Sequence, residues 1–340
     1  MRLLIRWAAL IVAVCGMPSW AQDAPLISGG VGLVSTTNGG ATFLQPIIAP
    51  VGVLPLGDHF LVESRADLRG FIARSGGTTG PYEGEFFANL EYLQLDYLAD
   101  SKLTLTVGRF LTPFNIYNER YTPIWIRNLQ DVPLIFPIGT RTTGSSDGVM
   151  ARGVIAGHPS WQLNYAAYFS ASSTTEQFAS GRSAGFRTGV YVPNARFEIG
   201  ISYQRFLQNG HYNASGAYLQ WQPWVAPFKL RGEYAHSPSG QGYWLEAAYR
   251  LAKTQDADTW LGKLQPVFRM QQFFRNSAIS GDLLPATNTQ QADFGLNYYL
   301  PHEVRLKASY SRQFSGIGDR NIWNVAITYR FLLPLARGAQ

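Results

Sequence analysis

In the stretch ARFEIGISYQ, which begins at Ala195, Phe197, Ile199, Ile201 and Tyr203 fall on every second position. Arg196, Glu198, Gly200, Ser202 and Gln204 fill the places between them. Successive side chains of a strand point to opposite faces, so this period of two predicts a strand with one apolar and one polar face. The same alternation sets Val304, Leu306, Ala308 and Tyr310 against Glu303, Arg305, Lys307, Ser309 and Ser311. It sets Trp323, Val325, Ile327, Tyr329 and Phe331 against Asn324, Ala326, Thr328 and Arg330. In PFKLRGEYA, Phe228, Leu230 and Tyr234 oppose Lys229, Arg231 and Glu233. The pattern recurs at 41–53, 59–74, 85–99, 101–109, 146–156, 160–171, 184–193, 195–208, 212–223, 226–237, 241–252, 262–275, 288–299, 302–314 and 320–332. A shorter stretch near Ile27–Ser35 supplies a sixteenth candidate. Tight turn signals such as PNA, QNG, SPSG and LPHE alternate with longer polar separators such as SSTTEQFASG and KTQDADTW. That rhythm suits a meander of hairpins. No helical periodicity and no shift of composition mark a second domain.

An alternating strand serves two architectures. In a soluble sandwich or propeller the apolar face is the core and the polar face is wet. In a transmembrane barrel the apolar face meets lipid and the polar face lines the lumen. Strand length favours the barrel, because the segments reach the ~10 residues a tilted strand needs to cross a bilayer. So do aromatics near strand ends (Tyr191, Phe206, Trp221, Trp224, Tyr298, Tyr299, Tyr329 and Phe331), where interfacial girdles belong. Amides in lipid must all be paired, so the sheet has to close. The expected fold is an all-β, up-and-down antiparallel barrel of sixteen strands, or fourteen if the chain before Asp58 does not pair.

The ends and the charge then narrow the picture. Arg2 and Arg6, the apolar run Trp7 to Val14 and the small-x-small pattern Ser19 to Ala21 read as a signal peptide over 1–21, cleaved after Ala21. The run is short for a transmembrane anchor, and Val14 before Cys15 does not suit lipid attachment. Loss of the first 21 of 340 residues leaves 319, without cysteine, so disulfides and thiolate metal sites are excluded. Arg2 and Arg6 leave with it, so 28 basic residues become 26 against 22 acidic ones. A net charge of +4, dispersed along the chain, gives no nucleic-acid footprint. The five histidines lie near turns or strand ends without metal-ligand spacing. Ser145, Ser146 and Asp147 in GTRTTGSSDG read as a turn entering a strand. No G-x-x-x-x-G-K occurs, and the G-x-S-x-G matches at 144–148 and 181–185 lead into alternating strand segments instead of the helix a nucleophile elbow needs, so no catalytic, cofactor or metal residues are expected.

One long segment breaks the rhythm. Gly108 to Gly144 carries Pro113, Pro123, Pro133 and Pro137, yet it is filled with Phe110, Phe114, Ile124, Trp125, Ile126, Leu134, Ile135 and Phe136. Irregular backbone at membrane depth is tolerated where it lines a cavity or is buried in protein. A sixteen-stranded barrel is wide enough to hold water. The segment is therefore expected to fold inward as a constriction loop, with its aromatics on the inner wall. Asn115, Asn118, Glu119, Arg120, Arg127, Asn128, Gln130 and Asp131 would then face the pore. An external loop or a lid over the mouth is the alternative. The polar parity of the strands supplies a lumen charge inventory. Its basic members are Arg65, Arg69, Arg196, Lys229, Arg231, Arg250, Lys263, Arg269, Arg305, Lys307 and Arg330; its acidic members are Glu63, Asp67, Glu198, Glu233, Glu246 and Glu303.

VGRFLTPFNIYNERYTPIWIRNL and the following DGVMARG resemble Gram-negative outer-membrane porins of the phosphate-selective porin O/P type. There a strand ending in Gly-Arg/Gln-Phe runs through Pro-Phe-Gly into an inward loop. Gly108, Arg109, Phe110, Pro113 and Phe114 match, and Asn115 stands where Gly is usual. The likeness is strongest over 101–153. It implies an outer-membrane porin passing small hydrophilic solutes or ions, in contact with outer-membrane lipids. Porins of this type are often homotrimers. Only Lys102, Lys229, Lys253, Lys263 and Lys307 remain after the leader, without the clustered lysines of a phosphate channel. The mixed, mostly basic lumen instead predicts a weak anion preference. The usual terminal aromatic is matched by Phe331, but the extension 332–340 follows it. The alternatives are a non-porin barrel plugged by the 108–144 segment, acting as hydrolase or as assembly or adhesion scaffold, and a secreted soluble β protein.

Overall fold

The computed structural model describes residues 25–75, 79–138, 144–173, 180–208, 211–224, 227–251, 259–277 and 282–334. The leader with Ala21, residues 139–143 of the long segment and residues 335–340 of the tail lie outside them. Sixteen strands follow the alternating segments. They are β1 (Leu26–Asn38), β2 (Ala41–Leu56), β3 (Phe60–Arg74), β4 (Tyr82–Asp100) and β5 (Leu103–Leu111). After the long segment come β6 (Ser145–His158), β7 (Trp161–Ala171), β8 (Ser183–Val192), β9 (Phe197–Phe206), β10 (Asn213–Trp221) and β11 (Phe228–Ser237). The chain ends with β12 (Gly240–Tyr249), β13 (Leu264–Arg275), β14 (Thr289–Tyr299), β15 (Val304–Ser315) and β16 (Arg320–Pro334). Each strand pairs antiparallel with its sequence neighbours, and β16 pairs with β1 to close the barrel. Sixteen is the number expected, and the chain before Asp58 forms β1 and β2.

Burial is inverted relative to a soluble protein. Ile199 and Val325 on the apolar parity are 50% and 61% exposed, whereas Arg269 and Lys307 on the polar parity are 1% and 2% exposed. A belt of exposed Val, Ile, Leu and Phe around a closed sheet is a surface for hydrocarbon, not for water. No soluble sandwich or propeller has this arrangement.

Three details depart from simple alternation. A β-bulge at Arg65/Ala66 leaves Glu91 as an extra residue between Leu90 and Tyr92, which shifts the parity of β4. Among the aromatics assigned to girdles, Tyr191 and Tyr299 share register pairs with the inward residues Glu198 and Arg305, and Phe206 is buried in an internal cluster. Trp221, Tyr298, Tyr329 and Phe331 keep the outward parity. Arg196 and Glu303 are turn residues with φ of 47° and 60°, not members of a strand face.

Both ends of the strand series, Leu26 and Pro334, lie at one mouth of the barrel. The turns after β2, β4, β6, β8, β10, β12 and β14 lie at that mouth; the long segment leaves β5 at the opposite one.

Candidate pore lining and the internal loop

The long segment contains two short helical turns, α1 (Tyr117–Tyr121) and a 3-10 turn at Phe136–Ile138. Neither is long enough to leave a helical period in the sequence. The neck of the segment is tied on both sides. Arg109 on β5 donates from Nη1 to both carboxylate oxygens of Asp147 on β6, at 2.9 and 3.0 Å, and from Nε to the Leu90 carbonyl at 2.7 Å. The Thr112 and Ser146 hydroxyls lie 2.8 Å apart, and the Thr112 N–H donates to the Gly144 carbonyl at 3.0 Å. Asn118 Nδ2 donates to the Thr112 and Gly144 carbonyls. The Arg109 and Asp147 of the sequence motif are thus the two jaws of one clasp. Asn115 has φ of 53°, the left-handed region that glycine favours and asparagine tolerates. Asparagine therefore accommodates this bend without a glycine.

Beyond the neck, the segment lies inside the barrel and its polar groups bind the wall. The Asn115 N–H donates to Ser202 Oγ, and its side-chain amide to the Tyr234 carbonyl. Glu233 on β11 accepts from the Ile116 and Tyr117 N–H groups at 2.8 and 2.6 Å, and from Trp244 Nε1 at 3.1 Å. α1 has no side-chain cap of its own, so a carboxylate from the wall satisfies its first amides. Glu119 pairs with Arg187, and Arg120 holds Glu198 through both oxygens at 2.6 and 2.9 Å. Burial disfavours the Arg120 charge, but Glu198 more than offsets this and holds the guanidinium above the ordinary arginine range. Lys307 Nζ donates to the Ile124 and Arg127 carbonyls at 2.5 and 2.6 Å. Arg127 itself donates to the Gln130 carbonyl, and Asn128 to Glu246. Asp131 accepts from Asn324, and its carbonyl accepts from Arg269. Burial pushes the Asp131 carboxyl above the usual carboxylate range, with Arg269 opposing the shift.

The apolar half of the segment fills pockets on the same wall. Phe114, Tyr117, Ile135 and Ile138 pack with Phe206, Trp244 and Phe273, and the Tyr117 and Trp244 rings meet edge-on at 5.7 Å. Ile124 and Trp125 pack on Val34, Ile47 and Ala49; Leu129 packs on Ala248 and Val267. Wall glycines make these approaches feasible. A Cβ on Gly30 would stand 2.4 Å from Trp125, on Gly216 2.4 Å from Asn115, on Gly242 2.7 Å from Ile135, and on Gly295 2.5 Å from Leu129. These sockets, like the roles of Lys307 and Glu233, are invisible from one sequence, because they depend on which wall position the loop reaches.

The anchoring contacts gather on β8 to β16, β1 and β2. The remaining arc carries charged inward side chains that keep access to water. Arg69 bonds Asp67, and Arg152 lies 3.6 Å from Asp96; the two arginine side chains are 37% and 38% exposed. Arg65 is buried against Glu91. Deeper pairs join Arg231 to Glu246 and Arg269 to Asp293. Lys229 and Arg305 stand at the mouth that carries the chain ends. Among the described residues, no group of three or more His, Cys, Asp or Glu is arranged to hold a metal ion.

No family model matches the chain, and no curated protein matches it. Solved structures do. Pseudomonas putida OprB in its high-pH structure superposes with a TM-score of 0.64 at 12% identity, over 91% of this chain and 94% of that one. Salmonella typhi OmpF, solved with daunomycin, gives 0.58 at 14% identity over 91% and 97%. Pseudomonas aeruginosa OccK11 gives 0.51 at 10% identity over 91% and 96%. The shared feature is the fold, that of an outer-membrane porin barrel. The phosphate-selective type suggested by the loop motif gains no specific support from these neighbours.

Proposed function

We propose that this chain is an integral outer-membrane porin of a Gram-negative cell, passing small hydrophilic solutes by diffusion with a weak preference for anions and without covalent chemistry. The observation that carries the reading is the division of the inner wall. One arc is covered by the internal loop, and the β3-to-β7 arc keeps water-accessible charged side chains. In this reading the 108–144 segment narrows the passage, with Arg120 and Glu119 on its wet side and Arg69, Asp67 and Arg152 across from them. Opposed charges in a narrow aqueous section order water and penalise apolar solutes. Basic residues at the lumen mouth with no ion pair among the described residues support the anion preference. The mouth bearing the chain ends is the periplasmic one, since such barrels keep short turns there and longer loops outside. Cleavage after Ala21 and assembly as a homotrimer belong to the same proposal; intact-mass measurement and analytical ultracentrifugation check them.

The breadth of the loop's anchoring favours one second reading, a plugged barrel acting as scaffold or hydrolase. Reconstitution into planar bilayers separates the two. Stable ohmic steps with block by small sugars are expected for the porin. Folded, inserted protein without conductance, especially with lipase or protease activity in parallel assays, overturns it.

A further inference from the structure

Apart from Lys307, which two loop carbonyls hold, two groups of cations stand out on the inner wall. At mid-barrel, Arg65, Arg69, Arg152, Arg187, Arg231 and Arg269 each pair with a carboxylate. At the mouth carrying the chain ends, Lys229, Arg250, Arg305 and Arg330 have no ion pair among the described residues. All four stand on the inward parity. Lys229 continues the row Arg231, Glu233 and Ala235; Arg250 continues Trp244, Glu246 and Ala248; Arg305 lies two positions from Lys307; and Arg330 lies two from Thr328. The register brings them together, because Lys229 pairs with Ala248 and Arg305 with Thr328.

An aromatic side chain organises two of them. The Tyr299 ring lies 3.6 Å from the Arg250 guanidinium carbon and 4.4 Å from that of Arg305, and the Tyr299 hydroxyl donates to Gln265 at 2.9 Å. A guanidinium stacked on a ring uses its face and keeps its N–H edge for an oxyanion. Two such groups share this ring, and Lys229 stands within electrostatic reach of both and of Arg196 and Arg231. The nearby carboxylates are engaged or peripheral. Glu198 is held by Arg120, Glu246 by Arg231, and Glu303 lies in the exposed turn beside Arg305. Like charges gathered with only the peripheral Glu303 carboxylate beside them among the described residues repel one another, and a bound anion relieves that repulsion.

We propose that Lys229, Arg250, Arg305 and Arg330, with Tyr299 positioning two of them, form an oxyanion-binding vestibule at the mouth carrying the chain ends, for small solutes bearing a phosphate or carboxylate group. The inference deepens the porin reading and rests on it for its functional meaning. Its physical consequence is sidedness. Fixed positive charge at one mouth and paired charge in the middle make the channel asymmetric, so current rectifies when the Debye length is ~10 Å at 0.1 M salt and stops doing so at ~3 Å in 1 M salt.

The test uses the full-length folded protein inserted in one orientation. Inorganic phosphate, then succinate, is added to either side at low salt. Block from the mouth side by one or both is expected, and the pattern tells phosphate from carboxylate preference. In the variant Lys229→Gln/Arg250→Gln/Arg305→Gln/Arg330→Gln, block should weaken by at least about tenfold, given the strength of hydrogen bonds between charged partners. Rectification at low salt should disappear together with the block. Equal block from both sides, block by neither anion, or full block in the variant overturns the vestibule. If the protein inserts but does not conduct, the porin reading fails on its own. Phosphorus NMR line broadening of inorganic phosphate by detergent-solubilised protein, lost in the variant, then still decides the site. Tyr299→Leu is the check on positioning: it should reduce block in protein that still folds and inserts, and Tyr299→Phe should restore it.

Discussion

Lys307 and Arg305 stand two positions apart on the same strand face, yet one is buried and bonded to two loop carbonyls while the other is half-buried against the Tyr299 ring. Facing was legible from alternation; availability was not, because it depends on what the loop covers. Arg65 and Arg69 illustrate the same limit, since both face inward and both are engaged by carboxylates. Arg196, assigned to the lumen by parity, belongs to a turn, where its guanidinium lies 4.3 Å from the Trp224 ring centroid. Two outcomes follow at this scale. Lys307→Met removes two charge-assisted bonds and leaves two carbonyls without a donor, so stability should fall by about 2 kcal/mol. Open-channel noise should rise as the 124–127 backbone loosens; chemical denaturation in micelles and single-channel recording read the two effects. Gly295→Ala inserts a methyl into the Leu129 socket, and overpacking of this kind costs ~1–3 kcal/mol. Gly181→Ala, where a Cβ meets nothing within 4 Å, is the matched control in the same unfolding assay.

At the level of elements, the internal loop explains its own sequence. It is apolar because Phe114, Tyr117, Ile124, Trp125, Ile135 and Ile138 pack into the wall, and irregular because it follows the curve of the barrel without joining the sheet. Both properties were readable. The use of its polar groups was not, since hydrogen bonding to Ser202, Glu233, Glu198 or Asn324 requires knowing which strands lie opposite. α1 also escaped a period search, because five residues make little more than one turn. Deletion of Asn115 to Leu134, with a short polar connector in its place, should leave the barrel intact, as the wall amides bond strand to strand. Conductance should increase and ion selectivity should weaken. Unchanged conductance after that deletion would mean that the loop lies beside the passage without narrowing it.

For the whole molecule, the strand number and the inside-out burial came from a period of two and from the requirement that a sheet in lipid has no edge. The bulge at Glu91 and the inward turn of Tyr191 and Tyr299 did not, because strand registers are set by neighbours far away in sequence. The lipid assignment predicts unequal responses to one charge. Ile199→Arg should cost ~2–4 kcal/mol if the site lies near the bilayer midplane. Asn164→Arg, at the same depth but on the inward face, should be mild; the register joins them through the adjacent pairs Asn164–Gly189 and Val190–Ile199. Folding titrations into lipid vesicles measure both, and equal losses would reject the assignment. The seam between the first and last strands carries a consequence for biogenesis. The Ser28 hydroxyl donates to the Phe331 carbonyl, 303 positions away, so the ring is sealed by segments made far apart in translation. A nascent chain therefore carries two sticky borders until its final strand emerges, and in a bilayer neither border has water to satisfy it. Closure must therefore wait for β16, and a chain truncated before β16 should fail to yield a heat-resistant barrel in lipid vesicles.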